Sequence, residues 1–508
     1  MKKIMTKITA VIATLLLTFS MFTFTVTAAP RIADTDKGSI TVTNVTDNAT
    51  ATAYKILNVK YDYDANQPSN PEYYWADEVK EFVKNNYPDY ISADGSVNEE
   101  KYSSMTADQS KKFFEDVALA IKEGTITLAG TSNGQGNTTI SNLEMGSYLV
   151  LIEGGVKVYQ SIAVNVVPTY NEAQDEWAID NQTITNTKST APTVDKTADK
   201  TNVSVNEKVS YTVTATVPSY PANATANQFV VSDKLPAGLT YNGDVKVYGV
   251  GTGDSVTELA ENTAYTVSTS RPDNKGTVDF AVSLVYNQVS TYKTIKVVYT
   301  ATANKDIVLG QAGNVNTAYI DYNNNPYDNG SWKDDSDTAT VHTYGIDITK
   351  VDKKNHDTTL AGAEFTLSAT NGGEAIKFVK TENGRYKVAD ASQTADAVDT
   401  LVTVTSGKLY IEGLKAGTYY LKETKAPTGG YKVPLSAFEI TIADDDNDGN
   451  VNDAESAYVA QVIENTTGYT LPSTGGMGTV MFTVGGIVLV ALGAGMIVVL
   501  RKKSKTAE

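Results

Sequence analysis

The chain contains no cysteine and only two histidines in 508 residues. Without thiols there is no disulfide framework, no thiolate metal centre and no cysteine nucleophile. His342 and His356 fall in linker-like or loop stretches, with no nucleophile and base constellation around them, so an enzyme is not expected. Positive charge is also scarce: 42 Lys and Arg stand against 59 Asp and Glu, a net charge of −17. Such a surface repels nucleic acid and anionic lipid and favours divalent cations.

Long apolar runs occur only at the two ends. The first, MKKIMTKITAVIATLLLTFSMFTFTVTAAP, has Lys2, Lys3 and Lys7, then an apolar stretch, then small residues before Pro30. That is the layout of a secretory signal peptide spanning 1–28, cleaved after Ala28. The second, Met477 to Leu500, is 24 residues without a charge, enough to cross a hydrocarbon core of about 30 Å. Arg501, Lys502 and Lys503 follow at once and mark the cytoplasmic side, so everything before 477 is expected outside the cell. An exported chain of this size with no disulfide needs large cores, metals or another covalent bond to hold its domains.

The interior reads as alternation: ITVTNV, YTVTATV, IKVVYTATA and FEITI, rich in Thr, Val and Tyr and bounded by Gly, Asn and Asp. Period-two patterning of this kind predicts antiparallel strands and β-sandwiches. Three tandem immunoglobulin-like domains are expected, at 29–187, 188–342 and 343–467, followed by a terminal segment at 468–508. Two helices interrupt the first. One has a stripe of Trp75, Val79, Phe82 and Val83. The other runs from a Thr106 to Gln109 capping box, through Phe113, Phe114, Val117 and Ile121, to Gly124; both are expected to cover the core. The second and third domains share a layout: a lysine on the first strand, an acid midway and an asparagine on the last strand.

Just before the apolar span stands LPSTGG, with Leu471, Pro472, Ser473, Thr474 and Gly475 as its core. Pro472 fixes an extended kink and Gly475 leaves room at the preceding carbonyl. Followed by a span and a basic tail, this resembles the cell-wall sorting signal of Gram-positive surface proteins. The resemblance implies that a sortase cleaves between Thr474 and Gly475 and holds the chain as a thioester until an amine takes it. Upstream, VNVVPTYNEAQDEWAIDNQTITNTKSTAP resembles the pilin motif of backbone pilins. Trp177, the alternation Thr183, Thr185 and Thr187, and Lys188 before Pro192 match its layout, with Asn186 and Thr187 where that family has Tyr-Pro. By that resemblance Lys188 is the amine that sortase C joins to Thr474 of a neighbouring copy.

The third domain resembles the collagen-adhesin (Cna) B-type immunoglobulin-like fold through ITKVD, LAGAEF, YYLKETKAP and the closing IEN. The family's isopeptide triad maps to Lys350, Glu423 and Asn465. The second domain resembles the A-type relative, which assigns Lys196, Asp233 and Asn316, with Asn314 on the same inward face as the second choice of acceptor. Burial in an apolar core takes the proton from a lysine and leaves it on a carboxylic acid. A neutral amine can then attack an asparagine amide while the acid moves protons, and ammonia leaves. A buried ion pair is the alternative reading of both sites. The first domain has no such lysine and only Glu153 as an acid, so no internal bond is expected there.

Asp444 to Glu455, DDDNDGNVNDAE, fits the loop pattern D-x-[DN]-x-[DN]-G-x5-E. Asp444, Asp446, Asp448, Asn450, Asn452 and Glu455 would hold structural Ca2+, with Gly449 at the sharp turn. Strand-like flanks exclude a helix-loop-helix EF-hand, and an acidic hairpin turn is the alternative. The whole is expected to be a sortase-assembled shaft subunit on the surface of a Gram-positive bacterium. Its expected partners are further copies head to tail, a pilus-specific and a housekeeping sortase, tip and base pilins, and peptidoglycan. A monomeric wall-anchored adhesin is the alternative.

Overall fold

The computed structural model describes residues 32–64, 67–171, 176–179, 181–185, 187–451 and 456–468. The expected signal peptide, the sorting signal and the apolar span at 477–500 lie outside these. Among the described residues no helix is long and apolar enough to cross a membrane. The chain is mainly β and forms two compact units. One comprises residues up to 201 with 206–307 and 313–341; the other comprises 202–205, 308–312 and the chain from 342 onward.

In the first domain one sheet runs Gln67–Trp75, Ala49–Asp64, Gly146–Gly154, Ile162–Val166, and a second runs Gln182–Ile184, Lys37–Val42, Thr138–Glu144. The strand Gly146–Gly154 is buried on both faces because successive side chains serve different cores. Tyr148, Val150 and Ile152 join Ile40, Val42 and Ile140 between the sheets. Leu149 and Leu151 join Val79, Val83, Phe113 and Val117 beneath the helices. The helices span Asp77–Asn86 and Ala107–Lys122, the second with its Thr106–Gln109 capping box formed in both directions. Gly124, at φ +77°, follows the last turn, a conformation costly to any residue with a Cβ. Trp75 does not belong to the first helix's stripe as the spacing predicts. It ends a strand, and its indole donates to the Tyr90 carbonyl at 3.0 Å.

The middle domain is a sandwich. One sheet runs Val194–Ala198, Lys208–Thr216, Thr294–Ala303, Lys246–Val250, Val256–Glu258; the other runs Tyr265–Ser270, Thr277–Leu284, Phe229–Lys234, Asn314–Asn323, Trp332–Val341. Thr294–Ala303 alternates between half-buried and buried side chains along its whole length. The hairpin after Asn323 ties this sandwich to the first domain. Tyr322 donates to the Val156 carbonyl at 2.5 Å, Asn324 to that of Gly155 at 2.8 Å and Asn325 to Glu153 at 2.6 Å. Tyr327 packs against the helical core.

The third domain has sheets Phe378–Glu382, Arg385–Val388, Lys408–Leu414, Tyr344–Asp352, Tyr458–Asn465 and Leu401–Val402, Glu364–Ser368, Gly417–Lys425, Phe438–Ile442. Its first and last strands lie side by side and parallel, with Lys350 opposite Ile463 and Asp352 opposite Asn465.

Candidate functional site

Strand parity directs Lys350 inward, since Tyr344, Ile346, Ile348 and Lys350 share one face of Tyr344–Asp352. Asn465 ends the adjacent parallel strand and Glu423 comes from the facing sheet. The three are at most 1% exposed. The Lys350 amine donates to Glu423 Oε2 at 2.8 Å and to Asn465 Oδ1, while Asn465 Nδ2 donates to Glu423 Oε1 at 2.5 Å. One carboxyl therefore touches both the amine and the amide. The rings of Phe365 and Phe438 lie 5.5 and 6.0 Å from the nitrogen. Burial pushes the Lys350 amine down, against the opposing pull of Glu423. The arrangement supplies an amine that loses its proton readily, an amide within reach and a carboxyl placed to move protons between them.

The middle domain joins the same residue types across its two sheets. Lys196 comes from Val194–Ala198; Asp233 and Asn316 come from neighbouring strands of the other sheet, where Asp233 faces Ala318. Lys196 is 4% exposed, and Asp233 and Asn316 are fully buried. Lys196 Nζ contacts Asp233 Oδ2 and donates to the Tyr299 hydroxyl at 2.7 Å. Asn316 Nδ2 donates to that hydroxyl at 2.7 Å. Asn314, the second choice, is also buried, but its amide donates to the Val341 carbonyl at 3.2 Å. Burial lowers the Lys196 amine and raises the Asp233 carboxyl to about 6, with each partner pulling the other back.

The raised carboxyl has a signed consequence. In an Asn316→Ala chain, Lys196 and Asp233 remain a pair of free side chains, and the folded state holds the Asp233 proton to higher pH than the unfolded chain, whose carboxyl titrates near 3.8. That contribution is complete below 3.8 and is lost as pH rises through about 6. Urea unfolding should therefore show stability falling by on the order of 2–3 kcal/mol across this range. A flat profile would refute the raised carboxyl.

Tyr299 is the residue that sequence reasoning missed. Its signal was there: the alternation of IKVVYTATA turns a phenol inward, and a buried phenol needs a partner.

Lys188 is half-buried and lies between two short strands. Its carbonyl accepts from the Gln160 amide at 2.9 Å, and the following Ser189 and Thr190 pair with Tyr159 and Val158. The continuous alternation expected from Thr183 to Thr187 is broken. Thr183 and Thr185 are exposed but Thr187 is buried, because the strand stops at Ile184 and the chain changes sheet before Ser189. Trp177 sits on Glu176–Ile179, its ring 5.5 Å from that of Tyr170. Glu153 contacts Lys122 and Asn325, with about a third of its side chain exposed, unlike the acids in the two cores.

Asp444, Asp446 and Asp448 bring carboxylate oxygens within 4.8 Å of one another. Asp444 Oδ1 is buried without a partner, while Oδ2 receives the Tyr344 hydroxyl and, at 3.0 Å, the Gly449 amide. Asn450 donates from its backbone and side chain to Asp448. The loop is not a hairpin turn: Phe438–Ile442 pairs with Gly417–Lys425, whereas Tyr458–Asn465 pairs with Tyr344–Asp352 in the other sheet. It is a crossover, since the sandwich needs its last strand beside its first. Asn452, Glu455 and Leu471 to Gly475 lie outside the described residues. Of the histidines, His342 is buried with Nδ1 3.0 Å from the Gly310 carbonyl, and His356 is exposed beside Glu464.

Three family models match this chain. Residues 205–326 match the Gram-positive pilin backbone subunit 2, Cna-B-like domain; 345–456 match the SpaA prealbumin-like fold domain; 463–506 match the LPXTG cell wall anchor motif. The trypsin-resistant surface T6 protein of Streptococcus pyogenes is 30% identical over 243 residues, 44% of this chain. The match covers 40% of that relative's length. The solved T6 backbone pilin of S. pyogenes shares the fold with a TM-score of 0.53 at 22% identity, over 85% of this chain and 94% of that one. The full-length major pilin SpaD of Corynebacterium diphtheriae gives 0.47 at 21% identity, over 86% and 99%. Two pilin-domain models and a cell-wall anchor motif match successive stretches of this chain, which shares the fold of a backbone pilin and is similar to Gram-positive pilins anchored at the cell surface.

Proposed function

We propose that the chain is the repeating shaft subunit of a pilus, joined head to tail by an amide between the Thr474 carbonyl of one copy and the Lys188 amine of the next. A pilus-specific sortase makes that bond, and a housekeeping sortase transfers the finished fibre to peptidoglycan. Within each copy, Lys350 and Asn465, and Lys196 and Asn316, join by amides with loss of ammonia. Glu423 and Asp233 serve as the respective acids. The observation that carries this reading is the buried Lys350, Glu423 and Asn465 cluster, in which amine, acid and amide touch one another. Such a bond ties the first strand to the last, so tension along a shaft passes through the domain without unfolding it. Head-to-tail joining has no closing symmetry and therefore gives an open fibre.

Incubating the exported chain with its sortase tests the intermolecular part. A ladder of oligomers that survives boiling in detergent supports polymerisation, and a single monomer band supports the wall-anchored adhesin.

The acidic crossover of the third domain is proposed to hold structural calcium. Three converging carboxylates and the unpartnered Asp444 Oδ1 fit a hard cation with oxygen ligands. Calcium at about 100 times its Kd should stabilise the domain by about 2.7 kcal/mol, which a chelator removes. Equal melting of this domain in calcium and in chelator would refute the site.

A further inference from the structure

The two cores solve one problem with different parts. In the third domain Glu423 reaches the amine with one oxygen and the amide with the other. In the middle domain the acid is an aspartate, shorter by one methylene. It contacts Lys196 through Oδ2, but its Oδ1 has no partner. The Asn316 amide is met instead by Tyr299, whose hydroxyl lies 2.7 Å from Lys196 Nζ and 2.7 Å from Asn316 Nδ2. Around Lys350 the nearby rings are Phe365 and Phe438, which have no hydroxyl to offer.

We infer that Tyr299 is a catalytic residue of the middle domain's cross-linking, relaying a proton from the Lys196 amine to the ammonia that leaves Asn316. This rests on the reading that Lys196 and Asn316 become joined. The neutral Lys196 amine attacks Asn316 Cγ, forming the new C–N bond and sending the carbonyl π electrons to Oδ1. The amine's surplus proton passes to the phenol oxygen as the phenol's own proton passes to Nδ2. The Cγ–Nδ2 bond then breaks with its electron pair on nitrogen, the carbonyl re-forms and ammonia departs. The phenol ends as it began, and no outside reactant is needed. Burial raises the phenol, so it stays protonated and acts as a relay rather than a standing base. Neighbouring rings hold the phenol in place, with Tyr211 stacked on it at 5.4 Å and Phe280 edge-on at 4.8 Å.

The test follows ammonia loss by intact mass after pulsed synthesis of the full ectodomain, with the third domain's bond as an internal control. Each bond removes about 17 Da. Tyr299→Phe keeps the ring and removes the hydroxyl. The expected result is a normal first loss from the third domain and a second loss slowed about 100-fold, the scale of general acid–base catalysis. A second loss at the wild-type rate overturns the inference, while leaving the Lys196–Asn316 bond itself intact. A wild-type chain that never makes the second loss overturns the underlying reading and the inference with it. To separate chemistry from packing, Asn316→Ala is compared with Asn316→Ala/Tyr299→Phe. Matching thermal midpoints support a catalytic phenol. A large drop in the double variant assigns Tyr299 to packing and overturns the relay.

Discussion

An Asn465→Ala chain should lose one of two mass deficits of about 17 Da and most of the third domain's resistance to unfolding. The substitution removes the amide carbon that Lys350 would attack, yet leaves Lys350 paired with Glu423 at 2.8 Å, so no charge is stranded in the core. What disappears is chiefly the link between strands Tyr344–Asp352 and Tyr458–Asn465. By analogy with a disulfide, closing a loop of about 100 residues restricts the unfolded chain by roughly 4–5 kcal/mol. For a domain of this size that corresponds to a fall in melting temperature of about 15–20 °C. Trypsin should then cut this domain faster than it cuts the parent's. Glu423→Ala should likewise lose that deficit with Asn465 still present, because the amine then has no acid to exchange protons with. If the parent and Asn465→Ala chains both match the masses their sequences require, neither has made the bond and the self-joining account of this domain fails.

Lys188→Ala should abolish the covalent ladder while leaving both internal mass deficits in place. The side chain is half-buried, and its backbone is held from its own carbonyl onward. The Lys188 carbonyl accepts from Gln160, and Ser189 and Thr190 pair with the hairpin segment at 158–159. That hairpin is itself gripped from the middle domain through the Val156 and Gly155 carbonyls. A nucleophile held on a ladder of this kind loses little freedom when sortase presents its thioester, which is where proximity lowers a barrier. Losing the amine removes the acceptor outright, so the expected effect is complete loss of oligomers under conditions where the parent forms them. Monomer bearing an intact Thr474 to Gly475 peptide would place the defect in sortase recognition instead. A ladder that persists in Lys188→Ala would assign polymerisation to another lysine and end the role proposed for this one.

Much of this was legible in the chain. Alternation along YTVTATV and IKVVYTATA gave sandwiches, and the family resemblance set Lys196, Asp233, Lys350, Glu423 and Asn465 as inward partners, which the cores bring together. The capping box at Thr106 and Gln109 marked a helix start because both halves of that device are local in sequence. Other features were hidden because their causes are not local. Trp75 satisfies helical spacing with Val79 and Val83, but pairing with the strand Ala49–Asp64 claims it. The stretch around Lys188 alternates on paper, yet its two ends pair with different strands and the parity breaks between them. Asp444 to Glu455 resembles a turn until its flanking strands are found in opposite sheets.

Within each unbroken strand, the sequence by itself determined which side chains share a face and which residue types are available there, because a strand's period of two fixes a face without reference to anything distant. Tertiary structure alone decided what each inward group meets. Two sheets pack about 10 Å apart, and register and twist set which residues bridge that gap. That is why Glu423 spans amine and amide in one core, while Asp233, shorter by a methylene, leaves Asn316 to Tyr299 in the other.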